Sequence, residues 1–263
     1  MKQLKQLFAL ALAAGILISS CTKDSTELAQ QTVPQDVLQK IADMGFSNEN
    51  VQIIEEGYLV EGDIVLTREQ IGNLAIAHSL RIAETEQYHT TNLVTAPRAI
   101  TVSYSGNANA NVVSAIQNAV IRYDAENLQL DFNYIGSGGG GDINVKIVNG
   151  GGYIASAGFP SGGNPYPQVK FNKQYQNWNN NTLTSVFAHE FGHCIGFRHT
   201  DYMDRSFSCG GSPVNEGSGG VGAIHIPGTP TGPDSGSWML ACIGNGNDRP
   251  FNNNDETALD YLY

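Results

Sequence analysis

One stretch limits what this chain can fold into more than any other: His189-Glu190-Phe191-Gly192-His193-Cys194-Ile195-Gly196-Phe197-Arg198-His199. It calls for a helix that stops at a defined place. His189 and His193 are four positions apart, so on a helix their rings leave one face on successive turns and can meet at a single ion. His199 lies too far along for the same straight helix to present it. Gly196 resolves this, because glycine takes the left-handed conformation that ends a helix and turns the chain back. His189, His193 and His199 are therefore candidate ligands of one metal ion. Glu190, one step round the same turn, is placed to reach a water on that ion without displacing it, as a general base must. Three neutral imidazoles leave a fourth position open, the arrangement of a catalytic rather than a structural Zn2+. Such an ion brings a bound water's pKa toward about 7.

The elements around this stretch predict an α+β fold. Val37, Leu38, Ile41 and Met44 have helical spacing, residues 51–54 and 58–66 read as short strands around Gly62-Asp63, and a second amphipathic helix runs from Arg68 to about Ile82. Residues 84–97 are polar and aperiodic, which reads as a linker. Beyond Pro97 come a strand at 100–104 and a helix whose face is Val112, Ile116, Val120 and Ile121. Strands follow at 128–134, 143–148, 153–159 and 168–172, then a helix at 182–196. That order implies a sheet with helices packed on it. A loop-rich region follows His199 until a closing helix at 257–262.

Lys2 and Lys5 precede the apolar run Leu7 to Ile18, then Ser19-Ser20-Cys21. The run is shorter than the roughly 20 residues that span hydrocarbon, so it reads as an export signal. Ile18-Ser19-Ser20-Cys21 is similar to a bacterial lipobox, which makes Cys21 the candidate lipid attachment site. Residues 1–20 are then the signal peptide, 21–33 a flexible tether, 34–83 a folded segment, 84–97 the linker and 98–263 the main domain. Export, with membrane contact only through that lipid, leads to the periplasm or cell surface, or to release after processing. Cys194, Cys209 and Cys242 remain, so at most one intrachain disulfide forms. Cys194 falls inside the helix pattern, which favours Cys209 with Cys242 without settling the pairing. With 14 Lys plus Arg against 25 Asp plus Glu, the chain repels nucleic acid. A monomer is expected.

The pattern HExxHxxGxxH resembles the metzincin clan of metallopeptidases, and HEFGHCIGFRHTDY resembles the bacterial dual-action HEIGH metallopeptidases within it. The resemblance implies a zinc endopeptidase with a protein or peptide substrate. Its catalytic domain would have a mixed twisted sheet, a backing helix and the zinc helix, then a loop-rich lower subdomain closed by a helix. It also implies a methionine turn under the zinc, here Ser237-Trp238-Met239, and an edge strand that pairs with substrate, here Ala155, Ser156 and Ala157. Where some relatives carry a Tyr two residues after that Met, this chain has Ala241, so the role is vacant or passes to Tyr202. The Tyr58–Leu66 segment resembles the astacin pro-segment, which makes 34–83 a candidate small α/β pro-segment and Asp63 a candidate latency switch. The specificity pocket is expected to be walled by the 207–235 loop. Two other readings compete: a catalytically silent zinc lipoprotein that binds peptides or glycoproteins, which retention of Glu190 argues against, and a structural zinc site, which would need a fourth protein ligand that the motif does not offer.

Overall fold

The computed structural model describes residues 32–72, 87–217, 222–230 and 232–263. The signal peptide, Cys21, almost all of the tether and most of the helix expected over 68–82 lie outside the described residues.

The N-terminal segment consists of α1 (Gln35–Asp43), an antiparallel meander of β1 (Gln52–Ile53), β2 (Gly57–Val60) and β3 (Ile64–Thr67), and the short α2 (Arg68–Gly72). Val37, Ile41, Met44, Phe46, Val60, Ile64, Leu66 and Ile71 form its core, which Phe159 of the main body enters. Each such side chain contributes about 1.5–3 kcal/mol on burial. The β2–β3 turn is tight: Val60 faces Ile64 across it, and Glu61 and Gly62 adopt positive φ of 55° and 90°.

After β4 (Tyr88–His89), the main body is a mixed α/β structure. Its five-stranded sheet has the order β6-β5-β7-β9-β8, with β5 (Arg98–Ser105), β6 (Leu130–Ser137), β7 (Ile143–Val148) and β9 (Gln168–Asn172) parallel. The short β8 (Ala155–Ser156) runs antiparallel at one edge. Along β6, Leu130 and Phe132 are buried while Asp131 and Asn133 are exposed, so one face of this strand is covered. The cover is α3 (Ala110–Asp124), with α4 (Asn180–Ile195) packed against α3, β8 and β9. Asn109 caps α3 by accepting from Val112 N–H, and Asn179 caps α4 by accepting from Asn181 N–H. From Thr182 onward α4 is buried on every side, because the chain after it folds back over the face that α3 and the sheet leave open. A short helix α5 (Ser206–Cys209), a strand β10 (Ile224–His225) paired with β4, and α6 (Asn253–Leu262) complete that return. Cys209 and Cys242 are joined by a disulfide, and Cys194 is a buried free thiol.

Two expectations need correction. Residues 87–97 do not behave as a loose linker. Gln87 is fully buried and donates to Asp255, Tyr88 is fully buried, and Thr90 N–H donates to Gly196 O at 2.8 Å. The stretch is held by polar side chains and backbone bonds, which leave no apolar period to read. The strand expected over 153–159 shortens to Ala155–Ser156. Ala157 continues it only as a bridge to the N-terminal segment: Val65 N–H donates to Ala157 O at 2.7 Å, and Ala157 N–H to Asp63 O at 2.9 Å.

Candidate metal centre

α4 ends where the sequence requires. Gly196 has φ 116° and its N–H bonds the Gly192 and His193 carbonyls. A Cβ at Gly196 would lie 2.7 Å from Asn92 O, so both conformation and space demand glycine. The chain then doubles back. Arg198 N–H donates to Tyr88 O at 2.9 Å, and Thr200 N–H to Met239 O at 2.9 Å, which sets His199 opposite the two helical histidines.

Each histidine is oriented by a bond at Nδ1. His189 donates to Trp238 O at 3.0 Å, His193 to Phe197 O at 2.8 Å, and His199 to Glu216 at 3.0 Å. Bonds of this kind fix the tautomer and leave Nε2 as the ligand atom. Nε2 of His193 and Nε2 of His199 are 3.2 Å apart. Ligands at about 2.0–2.1 Å from a shared tetrahedral ion would stand roughly 3.3 Å from one another. His189 Nε2 is buried with no hydrogen-bond partner, a costly state for a lone pair that no cation claims. The residues present therefore fit a metal ion. A fourth atom joins them: Asp63 Oδ2, 3.3 Å from His199 Nε2 and 3.8 Å from His189 Nε2. All four ligand atoms lie within 4.8 Å of one another.

The electrostatics favour a cation here. Burial, then His199, pushes His189 down to about 4, and burial lowers His193 as well, so both are neutral imidazoles ready to coordinate. Burial alone would lower His199, but Glu216 and Asp63 outweigh it and hold it well above the usual range. A field that holds a proton at this nitrogen also attracts a divalent ion. Burial opposes ionisation of Asp63, yet the facing histidines, His199 foremost, hold its carboxyl below the usual range. Glu190 is nearly inaccessible and its Oε2 has no partner. Burial, then the charge of Asp63, pushes its carboxyl well up.

Under the site, Gly192 admits Met239. A Cβ there would come within 2.5 Å of Met239 Sδ, so the absence of a side chain between the two helical histidines lets the buried methionine lie directly against the helix.

Three residues beside the site, Glu216, Arg198 and Arg205, were not singled out in the sequence. Glu216 orients His199. Arg198, fully buried, has Nη2 3.3 Å from Glu61 Oε2 and 3.9 Å from Glu216 Oε2, and it lies over the rings of Phe46 and Tyr202. Arg205 Nε adds a pair to Glu216 at 3.0 Å. Glu61 and Phe46 belong to the N-terminal segment, so that segment closes the charge network behind His199 as well as facing the ligands.

A cavity of about 260 Å³ opens beside His189 and Glu190. Its walls include Ile154, Val186, Leu240, Ile243, Arg205 and Arg249, together with Gly62 and Asp63 of the hairpin. None of the described residues of the 207–235 loop lines it, contrary to expectation; the wall is the 238–249 segment, which Ser185 of α4 ties down by accepting from Arg249 N–H at 2.8 Å. Tyr202 does not line it either. It is buried edge-on against Tyr88, with ring centroids 4.5 Å apart. His89 and His225 stand elsewhere, Nδ1 of His89 bonded to Thr90 O and Nε2 of His225 to Thr229 Oγ1.

Three oriented imidazoles with facing Nε2 atoms, beside a buried carboxyl and a cavity, define a candidate zinc site in a mixed α/β protein. The family model of the dual-action HEIGH metallopeptidases matches residues 58–263, and the chain belongs to that family. The match begins at Tyr58, so it takes in the hairpin that carries Glu61 and Asp63. Two solved structures of myroilysin are similar to parts of the chain. One is 19% identical over 43% of this chain and 54% of that chain, with a TM-score of 0.34. The other is 15% identical over 63% and 83%, with a TM-score of 0.41. The chain thus spans about half the length of the first. No curated protein matches the chain.

Proposed function

We propose that this chain is a zinc-dependent endopeptidase of the metzincin type, made as a latent precursor. The observation that carries the reading is the convergence of three Nε2 atoms on one point, with Asp63 Oδ2 completing the set. His189, His193 and His199 would hold the single Zn2+, and Met239 forms the floor as a methionine turn. When bound, the ion acidifies a water and polarises the carbonyl of the peptide bond. Glu190 takes the proton of the attacking water at its unpartnered Oε2 and passes it to the departing amine nitrogen. Its raised affinity for a proton suits it to both transfers. Ala155, Ser156 and Ala157 offer an edge on which an extended substrate peptide pairs through its backbone.

In the uncut chain Ala157 of that edge pairs with the hairpin, and Asp63 Oδ2 stands where a fourth ligand would. The reading assigns 34–83 to a pro-segment and 98–263 to the metzincin-like catalytic domain. A cut before Gln87 leaves β4 in place beneath the site. Residues 1–20 direct export, Cys21 carries the lipid and 21–33 form the tether, so the monomeric protein acts on proteins or peptides at a bacterial membrane.

The test is metal removal. Chelation abolishes cleavage of an unfolded protein by the matured chain, and about one equivalent of Zn2+ restores it. Undiminished cleavage by metal-free protein sinks the reading, and zinc uptake with no cleavage assigns the chain instead to silent peptide or glycoprotein binding. Latency has its own test. A charge-assisted hydrogen bond contributes about 1.5–3 kcal/mol, so Asp63→Ala raises cleavage by the uncut chain roughly ten- to hundredfold over wild type at about 1.4 kcal/mol per tenfold. Unchanged latency in this variant removes Asp63 from the switch.

A further inference from the structure

We infer that the cavity beside His189 and Glu190 receives an acidic side chain, aspartate or glutamate, of the substrate residue flanking the bond to be cut, and that Arg249 is its specificity-determining group. The inference rests on the peptidase reading above.

The cavity runs against the sign of the molecule. Acids outnumber bases in the whole chain, yet two of the charged residues on this wall are Arg205 and Arg249, and among the described residues the only acids lining it are Asp63 and Glu190. Asp63 leaves with the hairpin, and Glu190 belongs to the chemistry.

The two arginines differ in what they have left to offer. Arg205 is engaged, with Nε 3.0 Å from Glu216, Nη1 donating to Glu61 O and Nη2 to Cys209 Sγ at 3.8 Å. Arg249 is half-buried, and its guanidinium makes one long bond, Nη1 to Leu240 O at 3.5 Å. Among the described residues no carboxylate lies within 4.0 Å of it. The charge of Asp201 reaches it, but the two oxygens of Asp201 accept from Ala241 N–H and Ser208 Oγ. A partly desolvated guanidinium without a carboxylate partner is the group that a planar, bidentate anion satisfies best.

Its backbone is pinned on both sides. Arg249 N–H donates to Ser185 Oγ at 2.8 Å, and Arg249 O accepts from Arg122 Nη1 at 3.1 Å. Arg122 is itself paired with Asp248 at 2.6 Å. Ser185 lies on α4 one turn before His189, so the arginine keeps a fixed distance from the ligands. Ile154, Val186, Leu240 and Ile243 form an apolar part of the wall. It suits the methylene stem of a glutamate and strengthens the charge pair by excluding water.

The experiment uses the full chain after its own maturation in zinc-containing buffer, on paired peptides that differ only by Glu against Gln, or Asp against Asn, at each position flanking the cut. Wild type favours the acid at one flanking position by roughly ten- to hundredfold in kcat/KM. Arg249→Met brings that ratio close to one, and Arg249→Glu inverts the preference toward Lys, with zinc content and thermal midpoint reporting that each variant is folded. Arg249→Lys keeps part of the ratio, which guards against a variant that fails to fold. A wild-type ratio near one, or an acid preference that survives in Arg249→Met, overturns the assignment while leaving the peptidase reading intact. Failure of wild type to cut any peptide overturns both.

Discussion

Replacing Glu190 by alanine lowers kcat/KM of the matured chain by about 10²–10⁴, the range that a positioned general acid–base contributes, and leaves the zinc content unchanged. Metal retention follows from the geometry. The histidines are held at Nδ1 by Trp238 O, Phe197 O and Glu216, and Glu190 orients none of them. Its Oε2 makes no bond that the substitution would break. The uncut chain responds in the opposite direction. The charge of Asp63 raises the cost of ionising Glu190, so an ionised Glu190 would repel the hairpin, and its removal leaves the hairpin held at least as tightly. Activity and zinc content measured on the same sample decide the matter. Cleavage within a few-fold of wild type by a zinc-loaded Glu190→Ala chain excludes the residue from proton transfer.

Arg198→Met destabilises the uncut chain by about 3–5 kcal/mol, the cost of removing one member of a buried charge pair. The guanidinium is fully buried and faces Glu61, Glu216, and the carbonyls of Gly45 and Gly217. Without it the two glutamates are left with only Arg205 and His199 to offset their charge. Burial, followed by Glu216, already pushes Glu61 up, so in the variant Glu61 takes a proton, which caps the loss. Replacing Glu61 with methionine as well recovers much of the stability, because a buried pair exchanged for apolar groups of similar size is often neutral. Denaturant midpoints of the single and double variants measure both effects. A single-variant loss below about 1 kcal/mol would show that the pair is solvated and structurally idle.

The meeting of the three histidines beside Glu190 was legible because it is local. Helical spacing and one glycine at the helix end determine where His189, Glu190, His193 and His199 can meet, and Gly196 takes the positive φ that this requires. Glu216 was not legible. It reaches His199 from 17 residues away out of a loop with no period, and an isolated acid in such a loop carries no signal of its partner. Arg198 sits inside the motif, yet its meaning depends on Glu61, 137 residues earlier. The cavity wall was misplaced for the same reason, since Arg249 is brought to α4 by Ser185 and Arg122 across long separations. The stretch after Gln87 read as a linker because its burial is accomplished by hydrogen-bonded polar groups, whose partners, such as Asp255, lie far along the chain.

The hairpin that meets Ala157 through two backbone bonds also governs the electrical potential at the site. It brings two carboxylates, Glu61 and Asp63, into contact with Arg198 and the histidines. Withdrawing it takes both away while Arg198, Arg205 and the three imidazoles stay behind. The cleft then swings by up to two charge units toward positive on a molecule whose surface is otherwise acidic. Unzipping one short strand would thus turn a neutralised groove into an attractor for anions, with a pull on incoming acidic segments that weakens as salt is added.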